Sequence, residues 1–408
     1  MTTSSRTRRA RSAAALVVAL LGAAALAGCD ASAGITGTTA GGESASPDAT
    51  ETAEAPVTPV LRTNVARGAT DVPVSTVLTV KAKRGSLTDV TASYDGGTVP
   101  GSISADGLRW KAEDRLEPGV TYTLSAAARG EEGTRTKRTT SFTTEALTLD
   151  QQTYPSVAPL AGETVGVGMP VIVTFDIPVT DRAEIERHMS VTSKPAQTGT
   201  WHWLNDTEVH WRPKKYWQAG TDVHVDVDIN GVDAGGGIYG QEDRTVDFTV
   251  GDAHIYKVDA QTHQMKVFSN GDLLRTIPIT TGKAGFTTRS GVKVIIEKFA
   301  EKRMNSETVG IPADSAEAYD IDDVKWAMRL TYSGEFIHAA PWSVGSQGYA
   351  NVSHGCTGMS TANAGWLYSM TRRGDVVEYT GTGRPMEAEN GYGDWNIGYA
   401  DYKADSAL

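Results

Sequence analysis

From about Pro59 onward the chain is dominated by short runs in which apolar and polar residues alternate, such as Val77-Leu78-Thr79-Val80 and Val171-Ile172-Val173-Thr174-Phe175. A period of two places successive side chains on opposite faces of a strand, and Gly, Pro and Asp between the runs mark turns. Two stretches carry the same punctuation. Leu108-Arg109-Trp110-Lys111 followed by Gly119 and Tyr122 is echoed by Val209-His210-Trp211-Arg212 followed by Gly220 and Val223, with the same spacing from Trp to Gly. Each stretch closes on a further alternating run, Ser141-Phe142-Thr143-Thr144 and Asp247-Phe248-Thr249-Val250. Helical periodicity is nearly absent from both. The pattern predicts two immunoglobulin-like β-sandwiches, over 59–146 and 147–251.

The remainder is again mostly strand. His254-Ile255-Tyr256-Lys257-Val258 and Gln264-Met265-Lys266-Val267-Phe268 read as a hairpin, followed by strands over 273–281 and 292–299. One helix is predicted, opening at Ser360 as N-cap just after Cys356 and stopping at Arg372-Arg373-Gly374. Val376-Val377-Glu378-Tyr379 closes a sheet, and an aromatic tail over 382–408, with Tyr392, Trp395, Tyr399 and Tyr402, is expected to pack back on this domain, 252–381. The fold class is thus mainly β, two sandwiches followed by a β-rich domain with one short helix.

The N-terminus has a different pattern. Arg6, Arg8, Arg9 and Arg11 precede an uncharged run that ends in Leu26-Ala27-Gly28-Cys29. A basic start, a short apolar centre and small residues before the cut describe a secretory signal over 1–28. The apolar centre is shorter than the ~20 residues that span a bilayer. Leu-Ala-Gly-Cys resembles the bacterial lipoprotein box, which implies that Cys29 becomes the lipidated first residue, anchored to the outer face of the cytoplasmic membrane and facing the wall. The stretch 29–58, rich in Ala, Ser, Thr, Gly and Glu, buries too little to fold and reads as a tether of roughly 30 Å as a flexible coil.

Composition narrows the chemistry. Loss of 1–28, with four Arg and no acid, moves the formal net charge from −11 to −15. So acidic a chain lacks the Lys and Arg that nucleic-acid phosphates require. There are two cysteines, and with Cys29 taken by lipid Cys356 is left as a free thiol in an oxidising compartment.

That thiol has company. Phe336-Ile337-His338-Ala339-Ala340-Pro341-Trp342 is followed by Ser353-His354-Gly355-Cys356. A thiol attacks acyl carbon as thiolate and needs a base or a positive neighbour, and histidine supplies either. Gly355 frees the backbone to turn and to aim N–H groups at an oxyanion, and the helix at Ser360 adds partial positive charge. A zinc site lacks a second cysteine and the ligand spacing of known motifs. His224-x-Asp226-x-Asp228 fits a solvated strand face, Gly235-Gly236-Gly237 a hairpin tip, and Trp201, Trp203, Trp211 and Trp217 a sandwich core as well as a glycan site.

At 252–381 the chain resembles the catalytic domain of the L,D-transpeptidases, and with its lipobox and two sandwiches the multidomain actinobacterial lipoprotein members of that family. The resemblance implies Cys356 as nucleophile and His338 as base, oriented by the main-chain carbonyl of Ala339. His354 and Gly355 would shape the cysteine loop, and the Cys356 N–H would help hold the oxyanion. Met304 and Tyr319 fall in a flap over the substrate, Trp342 on the opposite wall, with Ser353 and Gly358 also lining the site. Two departures stand out: Ala339 where close relatives have Ser, and Gly358 where they have Asn or Arg. The implied partners are peptidoglycan stem peptides, a tetrapeptide acyl donor and an amine acceptor, with carbapenem β-lactams as covalent inhibitors. No metal or organic cofactor is called for. Hydrolysis of the same thioester by an L,D-carboxypeptidase, or a non-catalytic wall-binding scaffold, are the competing readings.

Overall fold

The computed structural model describes residues 57–408. The signal, Cys29 and the tether up to residue 56 lie outside the described residues. Two sandwiches precede the C-terminal domain, and their repeat is physical. The first contains a sheet in the order Val60–Thr63, Thr79–Lys83, Arg109–Ala112, Gly101–Ile103, and the second one in the order Pro155–Ala158, Val171–Phe175, Glu208–Pro213, Gly199–Asn205. Trp110 and Trp211 occupy equivalent strands, and each is roofed by a glycine of the neighbouring strand. A Cβ on Gly101 would lie 2.3 Å from the Trp110 ring, and one on Gly199 2.3 Å from the Trp211 ring. The shared Trp-to-Gly spacing ends at Gly119 and Gly220, which turn with φ of 69° and 77°. Only glycine takes such angles without strain.

Trp201, Trp203, Trp211 and Trp217 are buried in the second sandwich's core. His224, Asp226 and Asp228 stand on the outward side of Asp222–Val227 and the residue after it, with His224 bonded to Asp247. Gly235-Gly236-Gly237 turns the hairpin between Asp233–Gly235 and Ile238–Gly240. One short helix, Arg182–Arg187, interrupts the strands.

The C-terminal domain stacks a five-stranded sheet, in the order Asp272–Pro278, Gln264–Ser269, His254–Asp259, Val376–Thr380, Gly291–Val294, against a four-stranded one, Glu297–Asn305, Asp320–Arg329, Phe336–Ala339, Thr357–Met359. Tyr256, Met265, Ile295, Met328, Ile337 and Leu367 belong to the core that joins them. The run expected as one strand over 292–299 is two. It breaks after Val294, and buried Ile295 and Ile296 carry the chain from one sheet to the other. A continuous apolar run reads the same whether it stays in a sheet or crosses between two.

The helix is Thr361–Met370, with the Ser360 side chain accepting from the Asn363 N–H. It opens at the expected cap, a few residues after the cysteine. Thr357–Met359 intervenes as a strand paired in parallel with Ile337–Ala339, so the helix N-terminus is held about 13 Å of extended chain away and its dipole field is correspondingly weak.

The tail also differs from expectation. Its start stays on the catalytic domain, where Asn396 bonds both the N–H and the carbonyl of Val292. The terminal helix Tyr399–Ala404 instead lies on the second sandwich. The Arg212 guanidinium there sits 4.6 Å from the Trp395 ring centre and 4.2 Å from that of Tyr402, and Tyr402 stacks on His202. An aromatic tail packs wherever cations and rings are offered, and the richer surface is on the sandwich. The second sandwich and the catalytic domain meet backbone to backbone: Gly166 N–H donates to Arg373 O and Gly168 N–H to Gly374 O, both at 2.8 Å. Val294, Ile296 and Val376 of the catalytic domain join the sandwich's core.

Candidate active site

His338 is the third residue of Phe336–Ala339, a buried strand. Its neighbours Ile337 and Ala339 point into the core, so the alternation turns the imidazole to the opposite face, onto the wall of a cavity of about 320 Å³. Nδ1 lies 2.8 Å from the carbonyl oxygen of Ala339. With that nitrogen donating, Nε2 is left as the acceptor. The Trp342 ring stacks at 5.9 Å. Burial holds the imidazole below its ordinary 6.5, only partly offset by the Ala339 carbonyl.

Cys356 follows a tight turn. Gly355 has φ of 121°, a region that side chains resist, and its N–H donates to Ser353 Oγ at 3.1 Å. Ser353 Oγ in turn donates to Cys356 O at 2.6 Å, and Thr288 Oγ1 to Gly355 O at 2.7 Å. The turn is thus closed by its own polar groups. The Ser353 hydroxyl closes the turn while the residue also lines the cavity, and the Gly355 N–H is taken up by that hydroxyl. The Cys356 thiol donates to Gly334 O at 3.6 Å. Burial pushes it from 9.0 up to about 11, against the Phe336 N–H, which favours the thiolate, and with Glu335 adding to the rise. Thiol and imidazole are therefore both neutral at rest. Histidine is placed as a base and not as a standing cation.

His338, Cys356, Met304, Tyr319, Trp342 and Gly358 share the wall of this one cavity, together with Ser353 and His354. Trp342 is 57 % exposed at the mouth. A Cβ on Gly358 would come within 2.9 Å of the Ala340 Cβ and 3.1 Å of Thr280 Cγ2, so the glycine lets Ala340 and Thr280 close up on the cavity floor. A second cavity of about 280 Å³ opens on the other side of the thiol and carries Lys302, Arg303 and Arg329. Met304, Tyr319 and Cys356 line both.

Sequence reasoning missed what holds the flap. His354 Nε2 lies 2.8 Å from Glu317 Oε2, and Lys283 bonds the same oxygen. These partners keep the Glu317 carboxyl below its ordinary value, Lys283 foremost. Phe286 and Tyr319 pack on the His354 ring at 4.6 and 5.1 Å. His354 thus ties the segment before Asp320–Arg329 to the cysteine turn. A lone Glu distant in sequence gives no signal of this. Among the described residues no cluster of His, Cys, Asp and Glu is arranged to hold a metal ion.

The comparisons agree with this layout. The family described as L,D-transpeptidase catalytic domain matches residues 253–378, and the family described as bacterial Ig domain matches 69–233, across both sandwiches. L,D-transpeptidase 2 of Mycobacterium tuberculosis is 40% identical over 351 residues, covering 86% of this chain and 85% of its own length. L,D-transpeptidase 5 of the same species is 34% identical over 363 residues, 86% of this chain and 78% of its own. A solved L,D-transpeptidase in complex with imipenem is similar with a TM-score of 0.50 and 39% identity, covering 56% of this chain and 99% of that one. On this evidence the chain belongs to the L,D-transpeptidase family, acyltransferases that work through a cysteine nucleophile.

Proposed function

We propose that the protein cross-links peptidoglycan stem peptides through an acyl-enzyme on Cys356. The sulfur attacks the carbonyl at the L-centre of the diamino acid in a donor tetrapeptide. The thiol proton passes to His338 Nε2 and from there to the departing nitrogen as the bond to the terminal D-alanine breaks. A thioester remains. An amine from a neighbouring stem's diamino acid then attacks it, giving its proton to His338, which returns one to the sulfur. The products are D-alanine and a link between two diamino-acid residues, and the enzyme is regenerated. The carbonyl of Ala339 fixes the ring orientation that both transfers use, and the Cys356 N–H receives the oxyanion.

The observation that carries this reading is that Cys356 borders two cavities, one apolar and one cationic, with Met304 and Tyr319 between them. Two peptides reach one sulfur from different sides in such a site, and Lys302 suits a carboxylate of a stem peptide, while Arg303 is held by Asp320 and Arg329 by Glu297. Flap residues Met304 and Tyr319 and the opposite wall at Trp342 and Gly358 would grip the donor. Carbapenems acylate the same sulfur, a reading supported by the imipenem complex of the related enzyme. The lipobox sequence supports attachment of Cys29 to lipid, which would place the domain at the outer face of the cytoplasmic membrane, facing the wall.

The test is mass analysis of the protein mixed with disaccharide tetrapeptide. Dimer is the expected product. Trimmed tripeptide alone would make the chain an L,D-carboxypeptidase, and no change would make it a scaffold. Membrane retention of Cys29→Ala would overturn the lipid anchor.

A further inference from the structure

Directly behind the cysteine turn lies a buried charged group that the proposed reaction does not use. Lys293, on Gly291–Val294, has no exposed surface, and Glu335 and Arg289 are 4% and 8% exposed. The Lys293 ammonium donates to Glu335 Oε2 and faces the Tyr379 ring at 3.8 Å from its centre. Glu335 Oε1 accepts from Arg289 Nη1 at 3.0 Å and from the Arg289 N–H at 3.1 Å, while Arg289 Nε reaches out to Glu387. Both arms touch the nucleophile's immediate frame. Glu335 stands between Gly334, whose carbonyl takes the Cys356 thiol, and Phe336, whose N–H faces the sulfur. Its Cγ packs beneath the turn, 3.7 Å from where a Gly355 Cβ would be. On the other side the Tyr379 hydroxyl meets Thr357 Oγ1 at 2.6 Å, one residue from Cys356.

Burying a lysine and a carboxylate costs more than apolar residues would in the same volume, so their presence under a reactive turn calls for a reason beyond stability. We propose that Lys293 and Glu335 are positioning residues that form a charged pedestal under Cys356, the lysine favouring and the glutamate opposing the negative charge that gathers on sulfur as it attacks. The signs follow from Coulomb's law in a low-dielectric setting, where neighbouring charges act strongly. They agree with the influence of the two groups on the thiol, Glu335 raising and Lys293 lowering its affinity for the proton, while Cys356 in turn helps hold the lysine's proton against its burial. Other titratable or charged groups around the sulfur are His338 on its strand, Tyr319 from the flap, Tyr379 from the facing sheet, His354 in its own loop, and Lys302, Arg303, Arg329 and Tyr332 across the second cavity. None of these supplies a buried ion pair, and because burial lowers the Lys293 ammonium to about 8, the opposite signs are read at the neutral end of the range.

The inference rests on Cys356 being the nucleophile, and its test reads the thiol itself, without peptidoglycan, so it stands apart from whether amine or water resolves the thioester. The rate of Cys356 carboxamidomethylation by iodoacetamide would be followed by mass from pH 7 to 10.5 in the full chain, in Lys293→Met and in Glu335→Gln. Damage to the turn would slow both variants alike. The pedestal predicts opposite signs: Glu335→Gln faster at neutral pH by roughly three- to tenfold, and Lys293→Met slower by a similar factor, because the rate tracks the thiolate fraction. Glu335→Gln is isosteric and keeps an acceptor for Arg289, so that arm decides alone should Lys293→Met fail to fold. Both variants slower, or Glu335→Gln unchanged, would overturn the pedestal.

Discussion

The neutral resting state of the Cys356 and His338 pair leads to a prediction about pH. With the thiol pushed up to about 11, the thiolate fraction at pH 7.5 is about 3 in 10,000, against about 3 in 100 for a thiol at the ordinary 9.0. Iodoacetamide, which brings no geometry that lets His338 take the proton in concert, should therefore react with Cys356 about a hundredfold more slowly than with an exposed cysteine at pH 7.5. Its rate should climb close to tenfold per pH unit up to pH 10. Turnover of the tetrapeptide follows a different curve. It needs neutral His338, which burial holds below 6.5, so activity should be lost only as pH falls below about 6.5 and be flat from about pH 7 to 9. The assay is mass spectrometry of timed alkylation beside product formation over the same buffers. An alkylation rate that plateaus below pH 8, or that matches a free cysteine at pH 7.5, would mean a standing thiolate and imidazolium pair and would refute this account of the site.

Other consequences follow from single contacts. Because the acceptor for His338 Nδ1 is the Ala339 carbonyl, Ala339→Ser should keep steady-state activity within a few-fold, whereas His338→Ala should lose roughly 10²–10⁴ in rate. Gly355 holds φ at 121°, so Gly355→Ala should destabilise the turn by about 1–3 kcal/mol and depress acylation together with the melting temperature. Gly358→Asn has to displace Ala340 or Thr280, and the narrowed floor should raise KM for the donor more than it lowers kcat, an outcome contradicted by a fall in kcat at constant KM. At the tail, burial disfavours charge on His210, yet Asp394 and Glu208 raise it from 6.5 to about 9, and His210 holds Asp394 low. The protonated His210 thus favours the docked tail. The His210 contribution is full below pH 6.5 and is lost as pH rises through about 9, while that of Asp394 is present above 3.8 and is lost as pH falls below it. Tail amide protection, corrected for intrinsic exchange, should drop steeply between pH 6.5 and 9 and stay level in His210→Ala.

Features that were legible in the sequence are those set by local chemistry or by strict period. The Trp-to-Gly spacing marked two sandwiches because Trp110 and Trp211 each need a glycine beside them and a left-handed turn after them. The His338 and Ser353-His354-Gly355-Cys356 segment marked the site because the cysteine turn leads directly into Thr357–Met359, which pairs in parallel with the strand that carries His338. Long-range contacts were not legible. Lys293 sits in Val292-Lys293-Val294, where alternation suggests an outward lysine, and only Glu335, distant in sequence, makes burial tolerable. Glu317 finds His354 across the flap, and the tail chooses between two surfaces by where Arg212 and His202 stand. The helix near Cys356 was found by its Ser360 cap, but the strand ahead of it depends on pairing with Ile337–Ala339, which no local pattern reveals.

The central claim is that Cys356 carries the acyl group. Rapid acid quenching of the protein a few seconds after mixing with disaccharide tetrapeptide, followed by intact-mass and peptide analysis, reads it directly. The account predicts a thioester of the donor less its terminal D-alanine on the peptide containing Cys356, absent in Cys356→Ala and long-lived when no acceptor amine is present. Turnover with no adduct, or an adduct that persists in Cys356→Ala, would contradict it.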